Sequence, residues 1–250
     1  MIFNNISSIH IILIMSNIMN DYIKAVFRSR PNRFIAEVEI DGNLEIVHVP
    51  NTGRCKELLV QGATVYLLPS NNPKRKTKYS LHFVENEGAL VSIYSQQAND
   101  IVYKSILDGK IKELSNYDIV EREKRVENSR IDIYLANEYG DCYVEIKGVT
   151  LVTNNIAIFP DAPTERGRKH LQKLIKLKKE GHRAVVFFLI QHPNGKSFKP
   201  NWETDIDFSK TLSKAYAEGV EILVYKSDNK LDKIEIIEET IEFDLEKPHN

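Results

Sequence analysis

Two runs of alternating residues, 129–135 and 142–149, constrain this chain more than any other feature. Each alternates apolar with polar or charged side chains, the period of a strand with one buried face. Between them, Asn137, Gly140 and Asp141 supply turn formers, so the two runs read as one β-hairpin. Such a hairpin places Asp132 beside Glu145. Because successive side chains alternate faces, Glu145 and Lys147 point the same way. Two carboxylates and one ammonium then converge. Carboxylates that close repel one another unless a cation lies between them, and all-oxygen ligation suits Mg2+ or Mn2+. A metal held there activates water and neutralises charge on a phosphodiester, with Lys147 positioning the water or stabilising the transition state. By spacing alone, the same charges could also decorate the polar face of an ordinary half-exposed hairpin.

The rest of the chain divides in two. Runs at 34–40, 44–49, 63–68, 79–84 and 89–94 read as five short strands, with Asp41-Gly42 as a hairpin turn and one helical turn expected over 53–59. Five short strands with a small interruption suit an OB-like β-barrel, though an SH3-like barrel or a plain meander shares the pattern. From about residue 97 the pattern becomes mixed. Helical spacing at 99–107 is followed by a strand at 117–126, the hairpin, and a short run at 156–159. A helix then follows, with Leu171, Leu174 and Ile175 on its apolar face, Pro163 at its entry and Gly181 at its stop. The continuous apolar run 184–190 is that of a central strand covered on both faces, and a helix near 209–217 and a strand at 220–225 complete the order. This is a three-layer α/β domain with a mixed sheet. The expected division is 1–20 as a disordered or artefactual extension, 21–95 as the OB-like domain and 96–250 as the α/β domain with an acidic tail.

Charge is distributed unevenly. Residues 231–250 carry seven acids against two lysines, a net −5, which leaves +4 on the remaining residues out of the chain's −1. The cations cluster. Lys74, Arg75 and Lys76, with Lys78, lie in a loop between two strands, where OB domains grip single strands. Arg28, Arg30 and Arg33 form a second cluster beside Phe34, a ring able to stack on a base but expected to pack inside the barrel. Asn51 lies in a polar turn suited to phosphate or to a structural corner. Tyr79 and His82 are further stacking candidates. Arg166, Lys169, Lys173 and Lys176 recur at three- and four-residue spacing, forming one basic stripe where a nucleic-acid backbone could lie, or simply a solvated face. His170 sits among them, able to contact phosphate, share a proton or serve structurally. Cys55 and Cys142 lack metal or disulfide spacing and suit a reducing cytoplasm. The apolar run 9–15 is too short to span a bilayer and lacks a basic flank, since no Lys or Arg precedes Lys24; no membrane association is expected.

These strings together resemble the sugar fermentation stimulation protein A family from about Arg30 to Tyr225. The matching segments are Asn32-Arg33-Phe34, Pro50-Asn51-Thr52-Gly53, Asn72 with Lys74-Arg75-Lys76, Ser129-Arg130-Ile131-Asp132, and Glu145-Ile146-Lys147 leading into Val149-Thr150-Leu151. The longest is Phe159-Pro160-Asp161-Ala162, continuing through Thr164-Glu165-Arg166-Gly167 to Lys169-His170-Leu171. The resemblance implies an N-terminal OB-like β-barrel and a C-terminal restriction-endonuclease-like α/β domain of the PD-(D/E)xK nuclease type. Asp132, Glu145 and Lys147 match that signature's acid, acid and lysine as catalytic residues, and Glu123 falls where the family also tends to carry a glutamate, which makes it a candidate further metal ligand. Arg130 joins the nucleic-acid-binding candidates through its place in the motif. Gly148 stands where the family usually has Ser or Asn, and Arg168 where Gln is common. The implied partner is DNA, with RNA left open; a homodimer is compatible with these features. Two functions compete: a nucleic-acid-binding protein with a metal-dependent phosphodiesterase-type site, and a non-catalytic DNA-binding regulator of sugar-utilisation genes that uses the nuclease fold as a scaffold. A Schiff-base role for Lys147 is disfavoured, because two nearby carboxylates raise a lysine's pKa rather than lower it.

Overall fold

The computed structural model describes residues 22–248 apart from Thr52 and Asn128. The extension expected at 1–20 lies outside the described residues. Six strands form the first half: β1 (Ile23–Asn32), β2 (Ile35–Ile40), β3 (Asn43–His48), β4 (Thr64–Pro69), β5 (Tyr79–Asn86) and β6 (Ala89–Ser92). Their order is β3-β2-β1-β4-β5-β6, and a pairing of His48 with Ser80 joins β3 to β5. The first five strands therefore close into a barrel, with β6 attached outside the ring. The number five was legible in the sequence but its membership was not. Ile23–Asn32 was missed as a strand because its outward face carries Lys24, Arg28 and Arg30, and a bulge between Phe27 and Ser29 breaks its alternation. Asp41 and Gly42 both take positive φ, as the tight β2–β3 hairpin requires. The barrel core is Ala36, Val38, Val47, Val65, Leu67 and Leu81, and the expected single helical turn appears where Leu59 N–H donates to Cys55 O at 2.9 Å.

The second half is built on a six-stranded mixed sheet. Its strands are β7 (Ile119–Val126), β8 (Ser129–Asn137), β9 (Gly140–Val149), β12 (Arg183–Ile190), β14 (Glu221–Asn229) and β15 (Ile234–Ile237), in the order β15-β14-β12-β9-β8-β7. The three central strands are mutually parallel and the outer ones antiparallel. Helix α1 (Ser95–Leu107) covers one face through Ala98, Val102 and Ile106. Helices α2 (Glu165–Lys179) and α3 (Ile206–Ala217) cover the other through Leu171, Leu174 and Leu212. With both faces covered, Val185 to Ile190 must be apolar throughout, and all six are fully buried. A small sheet of β10 (Val152–Thr153), β11 (Ile156–Phe159) and β13 (Ser197–Pro200) links β9 to α2. The residues after β15 were expected as an acidic tail. They instead form a strap: Ile241 N–H bonds Val224 O, Asp244 N–H bonds Phe198 O, and Ile241, Phe243 and Leu245 pack on the core.

The halves interlock. Ser92 and Gln191 exchange bonds through backbone and side chain, Asn229 caps Leu90 O, and Ser95 N–H donates to Pro50 O. Gly53 lies against Asp161, so that a Cβ there would fall 2.5 Å from a carboxylate oxygen, and that carboxylate accepts from Cys55 N–H at 3.1 Å. Both cysteines are buried, and burial lifts each thiol to about 12.

One consequence for stability follows from His82. Burial, then the nearby Arg75 charge, lowers its imidazole to about 4. The unfolded imidazole protonates near 6.5 and the folded one only near 4, so stability is unaffected above 6.5 and falls as pH drops between those values. By pH 5 the loss is about 2 kcal/mol. Urea melts at pH 7 and pH 5 should therefore differ less for His82→Phe than for wild type. An identical pH difference in both proteins would rule this out.

Candidate functional site

The hairpin expected from sequence forms between β8 and β9, and its register brings Asp132 to Glu145. Regular pairing runs from Asn137↔Gly140 to Ile133↔Val144 and stops there. Where the next pair would fall, the Asp132 carboxylate accepts the Ile146 N–H at 2.8 Å. Its other oxygen accepts from Asn99 Nδ2 on α1 at 2.9 Å. Two neutral donors thus fix the side chain. Asp132 nonetheless sits above the ordinary carboxylate range, because it is buried and because the Glu145 charge is close.

Glu145 is 1% exposed. Burial pushes its carboxyl up, but Lys147 and His170 together outweigh that and hold it low. Lys147 Nζ donates to Oε1 at 2.6 Å, and His170 Nδ1 bonds the same oxygen. The second oxygen, Oε2, is buried without any partner. Leaving a buried anionic oxygen unmatched is costly, so this atom marks a position where a cation would be stabilised. A hard divalent ion fits the donor set: Mg2+ takes one or two carboxylates and keeps waters or substrate oxygens for its remaining positions. Among the described residues no group of three or more His, Cys, Asp or Glu side chains is arranged to hold a metal.

Asp132, Glu145 and Lys147 line a cleft of about 420 Å³ between the two halves. The C-terminal domain contributes Asn99, Asp161, Arg166, His170 and Gln191, and the barrel contributes Arg33 and Asn51. Gln191 explains Gly148. A Cβ at Gly148 would meet Gln191 Oε1 at 2.4 Å and Ala98 Cβ at 3.4 Å, so a larger residue would require the amide to move. Arg168 bridges α2 to α3 through Asp207 at 2.9 Å.

The structure does not gather every candidate. Glu123 is exposed, has positive φ, accepts from Arg130 NH1 and does not line the cleft. The structure does not bring Glu123 together with Asp132 and Glu145, and Arg130 is engaged with Glu123 rather than free. Arg30 is a clamp, donating to the carbonyls of Arg33, Asn51 and Arg54. Asn51 is a corner residue as well as a cleft residue: its side chain accepts from Gly53 N–H and donates to Ile93 O. The basic stripe is largely neutralised from within. Lys173, 11% exposed, and Lys176 both pair with Glu127, while Lys169 pairs with Glu165. Arg166 Nε donates to His170 Nε2 at 3.3 Å and does reach the cleft. Lys74, Arg75 and Lys76 sit on the barrel, outside the cleft; Lys74 and Lys76 are exposed, and Arg75 bonds Ser80 and Thr77. Phe34 is 46% exposed rather than packed in the barrel. Asn99, Asp161 and Gln191 were not singled out from sequence as site residues. Asp161 lay inside the longest matching string, which was its only signal; Asn99, on the amphipathic α1, and Gln191, just past the end of β12, have no local pattern to mark them.

A closed OB barrel joined to a mixed-sheet α/β domain, with an acid–acid–lysine cleft, defines the class of this two-domain fold. The model of the SfsA N-terminal OB domain matches residues 29–93, and that of the sugar fermentation stimulation protein RE domain matches 96–233. The chain belongs to the sugar fermentation stimulation protein A family. It is 63% identical to the sugar fermentation stimulation protein homolog of Methanobrevibacter smithii over 91% of this chain and 99% of that one. It is 51% identical to the homolog of Caldanaerobacter subterraneus subsp. tengcongensis over 84% and 92%. Among solved structures, Pyrococcus furiosus SfsA in complex with Ca2+ superimposes with a TM-score of 0.83 at 31% identity, covering 90% of this chain and 96% of that one. No helix among the described residues is long and apolar enough to cross a membrane.

Proposed function

We propose that this protein binds nucleic acid, DNA in the first place, and carries a phosphodiesterase-type site dependent on Mg2+ or Mn2+. The observation that carries the reading is the buried, unpartnered Glu145 Oε2 beside Asp132, in a cleft that also holds Lys147. Asp132 and Glu145 would hold the ion. When bound, a divalent ion supplies Lewis-acid polarisation of the phosphoryl group and an activated water. Asn99 and the Ile146 N–H hold the Asp132 carboxylate in place, which limits the reorganisation needed on loading. Lys147 presents a cation at 2.6 Å from Glu145, placed to orient a water or to balance charge on a phosphate oxygen. Arg166 and Arg33 extend the positive wall of the cleft. The relative's Ca2+ complex is consistent with a divalent site, since Ca2+ also takes oxygen ligands.

The second reading, a DNA-binding regulator without catalysis, draws on one feature. Glu145 Oε1 already has two donors, so the acid pair is partly neutralised without an ion. Purified protein incubated with mixed DNA and RNA substrates separates the two. Cleavage that needs Mg2+ or Mn2+ supports the first reading; metal-independent binding with no product supports the second.

Binding itself should be steeply salt-dependent, because exposed cations address phosphates rather than base edges. Replacing Lys74, Arg75 and Lys76 together should flatten the slope of log affinity against log salt by up to about three phosphate contacts. A slope equal to that of wild type would remove this loop from the interface.

A further inference from the structure

Next to the cleft, the barrel carries a second concavity of about 630 Å³ that the proposed chemistry does not use. Phe34, His48, Arg75, His82 and Tyr94 line it. The two concavities share a wall. Asn51 and Ser95 line both, and the consecutive residues Arg33 and Phe34 face one each. The pocket is furnished for a flat, polar-edged, anionic group. Phe34 is a large ring left 46% exposed, with the Arg33 guanidinium 4.7 Å from its centroid. Tyr94 is half-buried, its ring 4.5 Å from that of His82. Arg75 is half-buried, held by Ser80 and Thr77 with its charge directed at the two imidazoles. His48 Nδ1 is buried with no partner. Burial first, then Arg75, keep both imidazoles below their ordinary value, so near neutral pH both are uncharged; His82 Nδ1 is engaged by the Tyr22 hydroxyl at 3.3 Å, and the unpartnered His48 Nδ1 is the ring nitrogen left for a ligand. Neutral donor–acceptor rings suit the edge of a base, exposed rings suit its face, and a fixed guanidinium suits its phosphate.

The geometry points to a subsite for one unstacked nucleotide of a single strand, adjoining the Asp132–Glu145 cleft: the base against Phe34 and Tyr94, the phosphate on Arg75, and His48 on the base edge. The inference rests on the nucleic-acid-binding reading above and sharpens it, since a base can enter such a pocket only where it is not paired. A fully paired duplex cannot use it, whereas a single strand, a frayed end or a gap can.

The test is fluorescence anisotropy with a labelled oligothymidylate and with a blunt duplex of equal length, in Ca2+. Phe34→Ala should weaken single-strand binding about tenfold or more, the loss expected for one stacked base, and leave duplex binding nearly unchanged; Arg75→Gln, which also removes a phosphate contact, should weaken single-strand binding more than duplex binding. Because Phe34 is exposed, Phe34→Ala should fold normally, which a melting curve checks. Phe34→Trp should retain affinity and add a second indole emission to that of Trp202, the chain's one native tryptophan. The oligonucleotide should quench that added emission, read as the difference from wild type titrated in parallel. Equal loss on both polymers, or an added emission left unquenched at saturation, would overturn the subsite while leaving the cleft's function standing. Failure of wild type to bind either polymer would overturn both readings together, and Asp132→Ala retaining single-strand affinity would show that the pocket binds independently of the cleft.

Discussion

Calorimetric titration of Asp132→Ala, or of Glu145→Ala, will give no Mn2+ binding at concentrations that saturate the wild type. Each substitution removes one of the two carboxylates proposed to hold the ion; the cleft's other acid, Asp161, accepts from the Cys55 N–H. Glu123, the one further acid that sequence placed near the site, is paired with Arg130 outside the cleft. Losing the ion removes several kcal/mol of transition-state charge stabilisation, so cleavage should fall on the order of a thousandfold or more. Nucleic-acid binding should survive in Asp132→Ala, or rise slightly, because a negative charge has left a surface that meets phosphates. The same variant, purified identically, is also the contamination control: cleavage that persists in it does not arise here. Glu145→Ala additionally deprives Lys147 and His170 of their partner, so Glu145→Gln, which keeps the shape, should accompany it. Equal Mn2+ affinity in wild type and the Asp132→Ala/Glu145→Ala double variant would end the metal-site reading.

Lys147→Met will separate rate from binding. Its ammonium is 2.6 Å from Glu145 Oε1, and after burial it is the largest influence on that carboxyl, holding it ionised. Without it, metal-free protein keeps a buried carboxylate supported by His170 alone. Breaking a buried pair by removing one partner costs roughly 3–5 kcal/mol, with His170 reducing the loss here. A divalent cation replaces the missing positive charge. Mn2+ should therefore bind the variant as tightly as wild type or more tightly, and should raise its Tm by more than it raises the wild type's. Cleavage should still fall by about 10²–10³, the usual loss for one preorganised charge-stabilising donor. Scanning calorimetry with and without Mn2+, alongside single-turnover cleavage, reads all three quantities. If Lys147→Met loses Mn2+ affinity as completely as Asp132→Ala does, the lysine belongs to the metal-holding set and its assigned role is wrong.

Periodicity carried most of the fold. The alternation around Asp132 and Glu145, the Asp41-Gly42 turn and the unbroken apolar run of β12 are local patterns dictated by which faces are buried, and each is present as expected. β1 escaped because its outward cations and bulge hide a two-residue period; β13 and β15, at four residues each, are too short to establish one. The C-terminal strap shows the same limit from another side. Its acids marked it only as an acidic tail, whereas Ile241, Phe243 and Leu245 pack it on a surface assembled from distant strands.

The site divides along the same line. The acid, acid and lysine are separated by strand geometry alone, so the sequence by itself determined that they would converge. Whether a charge is free could not be read there, because pairing depends on which side chains meet across the fold. Only tertiary structure decided that Lys173 and Lys176 are engaged by Glu127, that Arg30 holds a loop, and that Glu123 stands apart with Arg130. It also decided that Asn99, 33 residues before Asp132, would orient it, and that the barrel would set Phe34 and Arg75 beside the cleft. The side-chain pairs arise where distant elements of one domain pack together, and the placing of Phe34 and Arg75 beside the cleft arises where the two domains meet. A strand's period is a property of neighbouring residues, but an interface between domains is a property of surfaces that exist only after both have folded.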